Sequence, residues 1–298
     1  MISLQTIDLE KLDVFFGAAT DTLARIYARM PRPAERALIL RGKVTGPQSA
    51  YAHTLPASFP LRDMGPGLSL LAEALVPEPC FWTPDLPNLY RVEVELCKGD
   101  QTLASTSRTF GIRRLGTSGR NLIFDGKRSV LRAVTFDDVP PAPLLEWRDA
   151  SAAAIVNNPS DDLCGEASRV GVLIVADLRS TSLDIADELR RLARFPAVGI
   201  AILPTQAASS DPHGLAPNIL LAQYASAGEK PSPTMWAKLL VREAKDPSMF
   251  SECVGVGNVP VIAYRTAGPQ ANIAAARRLC DELQRDLAPH GDYAGYIV

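Results

Sequence analysis

The sequence predicts two successive domains, a β-sandwich and then a barrel of parallel strands covered by helices. The chain has 298 residues, and a typical domain takes ~100–150, so the length suggests two. Over the first ~115 residues, short alternating strands are separated by proline and glycine turns, which is typical of a sandwich. After Arg120, apolar runs of strand length alternate with helical segments. This alternation indicates a parallel sheet with covering helices.

The composition fits a globular protein and excludes several classes of partner. Hydrophobic residues make up 47% of the chain and charged residues 21%, which is enough apolar material for a core. The formal net charge of −2 gives no general attraction to nucleic acid or to an anionic membrane. No stretch approaches the ~20 apolar residues that span a bilayer. The first residues lack the pattern of a signal peptide, so we expect a cytoplasmic chain by default.

The cysteines and histidines indicate neither a metal site nor a cofactor. The five cysteines are widely spaced without a C-x-x-C pair, which favours buried, reduced thiols. The three histidines do not stand at metal-ligand spacing from one another or from a cysteine. Glycine-rich phosphate-binding motifs are also missing from the sequence. We therefore predict that the protein uses no metal and no cofactor.

Within the first half, the clearest strand covers residues 90–96. Tyr90, Val92, Val94 and Leu96 alternate with Arg91, Glu93 and Glu95, which predicts one buried and one wet face. A turn at residues 98–100 then leads into a return strand at residues 101–112. Residues 38–44 predict another strand. Residues 12–30 have some apolar residues at helical spacing, but we interpret them as strands.

The second half contains the strands and helices of the predicted barrel. The predicted strands are residues 129–135, 152–156, 171–176, 197–203, 218–223, 259–264 and 294–298. The predicted helices are residues 144–151, 161–170, 181–193, 234–244 and 271–287. Up to eight strands fit into these ~180 residues, whereas a (β/α)8 barrel usually takes about 250. We therefore expect short helices, or a gap in the ring around strands five and six.

Three motifs near the junction of the two halves resemble those of the family 2 glycoside hydrolases. Residues 81–90 (FWTPDLPNLY) resemble the family's LWSPENPNLY segment. Residues 110–114 (FGIRR) resemble its FGFR ending, and residues 121–134 (NLIFDGKRSVLRAV) resemble FLLNGKPVFLRGVN. The order and spacing of the three motifs agree with those in the family. Weaker similarity continues through residues 165–176, 195–206, 260–265 and 294–296.

This resemblance implies a more specific fold. It implies an immunoglobulin-like β-sandwich at residues 1–118. It also implies a degenerate, shortened TIM barrel at residues 119–298, in which the Asp125-Gly126 pair makes a tight turn between two short strands. The active site of such a barrel lies at the C-terminal ends of its strands.

The resemblance also implies where catalytic carboxylates should stand, and this sequence lacks them there. Retaining glycosidases use two carboxyl groups about 5–5.5 Å apart. The family's acid/base, in an Asn-Glu pair after the fourth strand, is replaced by Gln206, which follows Thr205. The nucleophile position near the end of the seventh strand is occupied by Tyr264. Because Gln206 has no proton to transfer and a phenol is a weak nucleophile, we expect no catalytic residue at these positions.

Other polar residues follow the predicted barrel strands and are candidates for substrate binding. Together with Gln206 and Tyr264, the candidates are Asp137, Asp138, Asn157, Asp177, Arg179 and Arg265. They could form a relocated carboxylate pair or a sugar-binding cleft at the barrel mouth. The alternative is that they cap loops and carry solvated charge.

Three functions remain open on the sequence. The first is a non-catalytic family 2 relative that binds carbohydrate or acts as a scaffold. The second is an active glycosidase that hydrolyses O-glycosyl bonds with unconventional residues. The third is a structural or assembly protein.

The last predicted strand suggests a partner surface. If no helix covers residues 296–298, Tyr296, Ile297 and Val298 alternate between the barrel interior and an open flank. An exposed apolar flank tends to be an interface. We therefore expect either that the N-terminal sandwich folds back over this flank or that a second copy covers it in a homodimer.

Overall fold

The computed structural model describes residues 9–33, 37–204, 214–227, 233–243 and 258–298. These residues form two compact units. The first contains the described residues up to Trp82 together with Leu86–Ile112, and the second contains Thr83–Asp85 and the described residues from Arg113 to Val298.

The first unit is an antiparallel sheet of seven strands that follows a short 3-10 helix, Leu9–Lys11. The strands are β1 (Asp13–Ala19), β2 (Leu23–Pro31), β3 (Leu38–Gln48), β4 (Ala57–Asp63), β5 (Ser69–Pro77), β6 (Leu89–Lys98) and β7 (Gln101–Phe110). Their order in the sheet is β1-β2-β5-β4-β3-β6-β7. The link between its two halves is short, because only Arg62 and Asp63 of β4 pair with β5.

The sheet curls so that both halves share one core, as in a sandwich. Ile26 and Ala28 of β2 belong to the same buried cluster as Val92 and Val94 of β6. The predicted alternation is confirmed, because Tyr90, Val92, Val94 and Leu96 are all at most 2% exposed. Residues 12–30 form β1 and β2 rather than a helix.

The second unit begins with a small three-stranded sheet. Its strands are β8 (Leu115–Ser118), β9 (Asn121–Phe124) and β10 (Lys127–Ser129), paired in the order β10-β9-β8. The tight turn predicted between β9 and β10 is confirmed. Asp125 and Gly126 both have positive φ, 49° and 74°, as a two-residue hairpin turn requires.

The rest of the second unit is a closed barrel of eight parallel strands. They are β11 (Leu131–Thr135), β12 (Ala153–Asn157), β13 (Ile174–Asp177), β14 (Val198–Leu203), β15 (Leu220–Ala225), β16 (Leu239–Glu243), β17 (Val261–Tyr264) and β18 (Gly295–Ile297). The ring closes where Leu131–Ala133 of β11 pairs with Gly295–Ile297 of β18. All six residues of β14 are buried, as expected for a strand covered on both faces.

Four α-helices occur in the described ranges, and they do not follow every strand. They are α1 (Leu144–Asp149), α2 (Asp161–Val170), α3 (Ile185–Leu192) and α4 (Ile273–Leu287), which come after β11, β12, β13 and β17. Each helix is at most 15 residues long. None has the length and apolar character needed to cross a lipid bilayer.

Local capping explains where these helices begin. The Oγ of Ser160 accepts a hydrogen bond from the Leu163 N–H and starts α2. The carboxylate of Asp184 accepts from Ala186 and Asp187, so α3 begins at Ile185 and not at the predicted residue 181. Asn272 caps α4 through the Ala275 N–H.

One prediction about the barrel is wrong, and of the two alternatives expected from its short length, short helices or a gap in the ring, the gap is excluded. The described part of the predicted helix at residues 234–244 is a turn followed by β16, whose Leu239, Leu240, Val241 and Arg242 are all buried. A short apolar run that is buried on both sides does not reveal its period, so helix and strand could not be separated. Since β15 and β16 pair along four residues each, there is no gap in the ring between strands five and six.

The predicted open flank is also wrong. Tyr296, Ile297 and Val298 are at most 3% exposed. Helix α4, which follows strand seven, packs against β18 and β11. Arg132 of β11 donates to Asp281 and Gln284 of α4 at 2.9 and 2.6 Å, and the Cys280 thiol donates to the Ala133 carbonyl. The argument for a dimer at this flank is therefore lost, and a homodimer remains only a prediction.

Candidate functional site at the barrel mouth

The C-terminal ends of the barrel strands enclose a small cavity of about 80 Å³. Every second residue of a strand points inward, and each of the eight strands contributes one such side chain to the lining. The lining residues are Thr135, Ile155, Asp177, Arg179, Ile202, Tyr224, Val241, Tyr264 and Ile297. The floor is apolar, and the polar groups come from strands one, three, five and seven.

Asp177 and Arg179 form a bidentate ion pair at the end of the third strand. The Arg179 Nε donates to both carboxylate oxygens at 2.9 and 3.1 Å, and Nη2 donates to Oδ2 at 2.6 Å. The Arg179 backbone N–H also donates to Oδ1 at 3.1 Å. Hydrogen bonding to Asp177 raises the pKa of Arg179. Asp177 is thus neutralised by a fixed guanidinium.

Two tyrosines complete the polar wall of the cavity. The Arg179 guanidinium carbon lies 4.0 Å from the ring centre of Tyr224, which is within cation–π range. Tyr224 meets Tyr264 edge to face, with ring centres 6.1 Å apart. Burial, followed by the charge of Glu243, raises the pKa of Tyr224. Tyr224 therefore stays a neutral hydroxyl at physiological pH.

Glu243 stands next to this wall at the end of the sixth strand. It is the register partner of Tyr264. Its Oε2 accepts a hydrogen bond from the Ala227 N–H at 3.2 Å, and Glu243 is not one of the cavity-lining residues.

The structure brings together some of the predicted site residues. Asp177, Arg179 and Tyr264 line the cavity. Asn157 ends β12 beside them and accepts a hydrogen bond from Ser180 at 3.1 Å. Gln206 lies outside the described residues.

Three other candidates do not line the cavity. Asp137 and Asp138 lie in a 3-10 helix, Phe136–Asp138, directly after β11. Arg265 turns outward, because it follows the inward Tyr264, and pairs with Asp286 of α4 at 2.8 Å. Within the described ranges, no group of three His, Cys, Asp or Glu residues could hold a metal ion.

Sequence reasoning missed Tyr224 and Thr135. The predicted fifth strand ended at Gln223, one residue before Tyr224. The inward alternation of residues 220, 222 and 224 would have identified the tyrosine if the strand had been extended.

A sequence model of a known family matches part of the chain. Residues 42–113 match the glycosyl hydrolases family 2 model. The chain is similar to the family 2 glycosyl hydrolases. The match begins earlier than the predicted resemblance and ends before the third motif, at residues 121–134, so it covers part of the sandwich and none of the barrel strands. Among curated proteins, none matches this family 2-like chain.

Solved structures extend the similarity to the whole fold. The β-glucuronidase of Bacteroides uniformis superposes with a TM-score of 0.63 at 14% identity, over 97% of this chain and 45% of its own. A family 2 member from Bacteroides cellulosilyticus superposes with a TM-score of 0.66 at 14% identity, over 97% of this chain and 43% of its own. The β-glucuronidase of Parabacteroides merdae superposes with a TM-score of 0.61 at 15% identity, over 97% of this chain and 46% of its own. At such identities the likeness shows a shared fold. This family 2-like chain spans less than half the length of those proteins.

Proposed function

We propose that this chain is a non-catalytic relative of the family 2 glycosyl hydrolases that binds a carbohydrate at the mouth of its barrel. The observation that carries the proposal is Tyr264. It ends the seventh strand and faces the cavity, where the resemblance implies the nucleophilic carboxylate. The one carboxylate that lines the cavity within the described residues is Asp177, and its oxygens are occupied by Arg179. Hydrolysis with retention needs two working carboxyl groups.

The same cavity wall suits a sugar. Tyr224 and Tyr264 offer aromatic surface and hydroxyl groups, and Asp177 with Arg179 offers fixed hydrogen-bonding partners. The cavity is far smaller than the ~300 Å³ at the lower end of small-molecule pockets. We infer that a sugar ring lies over the mouth and places a single substituent inside.

The proposal predicts that purified protein does not turn over aryl β-galactosides, β-glucuronides or β-mannosides above the buffer rate. The physical reason is that Tyr264 and the neutralised Asp177 supply neither a nucleophile nor an acid. Release of the chromogenic phenol at micromolar protein checks this result. Carbohydrate binding is measured separately by melting temperature, since a ligand at 100 times its dissociation constant adds ~2.7 kcal/mol of stability. A protein that hydrolyses none of these substrates and responds to no sugar would fit a scaffolding role instead.

A second candidate, an active glycosidase with relocated carboxylates, is favoured by Glu243. This residue ends the strand next to Tyr264, so two strands of the barrel, the third and the sixth, end in a carboxylate. If turnover is observed, it should be lost in both Asp177→Asn and Glu243→Gln. Activity that survives both changes excludes this pair.

The finer identity of each unit is also part of the proposal. The strand orders β1-β2-β5-β4 and β3-β6-β7 agree with those of an immunoglobulin constant-type sandwich. The Tyr90 hydroxyl, at the start of β6, accepts a hydrogen bond from the Cys80 N–H at 2.8 Å, which resembles a tyrosine corner. The eight parallel strands of the second unit support a shortened TIM barrel, and the helices among its described residues follow strands one, two, three and seven.

The tyrosine corner gives a stability prediction. Tyr90→Phe should lower the free energy of unfolding by about 1–2 kcal/mol, because the partly buried Cys80 N–H loses its acceptor. Tyr51→Phe is the control. Tyr51 is 40% exposed, so this surface substitution should change the free energy of unfolding by less than about 0.5 kcal/mol. Urea unfolding of the two variants compares them, and equal losses would contradict a special role for Tyr90.

A further inference from the structure

We propose that the barrel mouth is an oxyanion-binding site in which Arg179 is the specificity-determining residue. The ligand group would be a carboxylate, phosphate or sulfate, either free or carried by a sugar. This inference uses the same cavity as the proposed function and is otherwise independent of it.

The size of the cavity argues for a single charged group. A volume of about 80 Å³ is too small for a drug-sized ligand and large enough for a group of a few heavy atoms. Its floor consists of aliphatic side chains of the even-numbered strands, including Ile155, Ile202 and Ile297, so the polar partners form a wall above the floor, on the odd-numbered strands.

That wall is rich in hydrogen-bond donors. The pair with Asp177 uses Nε and Nη2 of Arg179, which leaves the Nη1 edge of the guanidinium outside the pair. The Tyr264 hydroxyl receives a hydrogen bond from Thr266 at 3.5 Å, so its own proton can be donated elsewhere. Tyr224 is a second neutral phenol. A planar guanidinium with hydroxyl donors beside it matches the geometry of an oxyanion.

Of the two charged side chains that line the cavity within the described residues, Arg179 is the more accessible. The Arg179 side chain is 34% exposed, whereas Asp177 beneath it is 15% exposed. Glu243 directs its carboxylate to the Ala227 N–H, and Asp137 and Asp138 lie in the helical turn after β11. Asp177 and Tyr224 hold the guanidinium from two sides, so little side-chain entropy is lost when it binds a ligand.

The test measures binding of inorganic phosphate, glucuronic acid and neutral glucose by calorimetry and melting temperature at ~20 mM salt. Wild-type protein should bind phosphate and glucuronic acid, and the affinity should fall as salt rises. Arg179→Met should weaken both at least ~10-fold, as expected when a charge-assisted bond worth about 1.5–3 kcal/mol is lost. The matched control, Arg265→Met, removes an arginine paired outside the cavity and should leave binding unchanged.

Each outcome separates this inference from the proposed function. Glucose binding that equals glucuronic acid binding and survives Arg179→Met would overturn the inference and leave carbohydrate binding intact. Phosphate binding without any sugar binding would support the oxyanion site and contradict the carbohydrate proposal. No response to any of the three ligands contradicts both proposals.

Discussion

Replacing Gly171 by alanine is expected to lower the free energy of unfolding by about 2–5 kcal/mol. Gly171 ends α2 with φ of +93°, a left-handed conformation that costs other residues about 1–2 kcal/mol. An added Cβ would also lie far inside contact distance of the Pro84 carbonyl oxygen and the Arg148 Nη1. Overpacking of this kind typically costs about 1–3 kcal/mol more.

The crowding at Gly171 has an identifiable cause. Arg148 of α1 donates to the carbonyls of Pro84, Asp85 and Val170, so it ties the 84–85 segment to the end of α2 beside the glycine. Because one side of the clash is backbone, a rotamer change cannot relieve it.

Gly126→Ala is the matched control for this prediction. Gly126 also has positive φ, +74°, but a Cβ there meets no atom within 4 Å. Gly126→Ala should therefore lower the free energy of unfolding only by the conformational cost of the left-handed backbone, about 1–2 kcal/mol. Urea unfolding followed by circular dichroism measures both variants, and equal losses at the two glycines would refute the contribution of the Pro84 carbonyl.

Arg113→Met should destabilise the barrel unit by about 3–5 kcal/mol. The guanidinium of Arg113 is buried and donates to the carbonyls of Pro196, Val198 and Asn218, with a 3.0 Å bond to Val198. Those carbonyls lie where strands β14 and β15 begin. Methionine fills similar space without donors, and each buried carbonyl left unpaired costs about 1–3 kcal/mol. Burial lowers the pKa of Arg113 to about 9, so the side chain is still charged at neutral pH.

The neighbouring arginine is the control. Arg114 pairs with Asp125, and both side chains are about one third exposed. Arg114→Met should therefore cost less than about 1 kcal/mol. Thermal unfolding at pH 7 measures the stability lost in each variant. A loss in Arg113→Met no larger than that in Arg114→Met would show that water takes over the hydrogen bonds of the guanidinium.

The elements that were predicted from sequence are those whose pattern is local. The alternation of Tyr90, Val92, Val94 and Leu96 identifies a half-buried strand without any knowledge of its neighbours. β16 was missed because its apolar residues are buried on both faces, and only pairing with β15 and β17 selects a strand. The cover of β18 by α4 depends on tertiary packing, which no local pattern records.

The candidate site was predictable in outline for a similar reason. Asp177 and Tyr264 each follow a recognisable apolar run, so their position at the barrel mouth could be predicted. Arg265 is one residue further and faces the opposite way, since neighbouring residues on a strand alternate. The pair between Asp177 and Arg179 needs backbone geometry that the sequence does not state.

The closure of the ring has a consequence for how the barrel unit folds. β11 finds one of its two neighbours, β18, more than 160 positions away along the chain, with Leu131 opposite Gly295. Contacts of such long separation form late, because the entropy of the intervening loop must be lost before they are gained. Until then, the backbone groups along one edge of β11 have no strand partner, and such an edge can pair with another chain. The interval before the last strand joins is thus when this molecule is most exposed to aggregation.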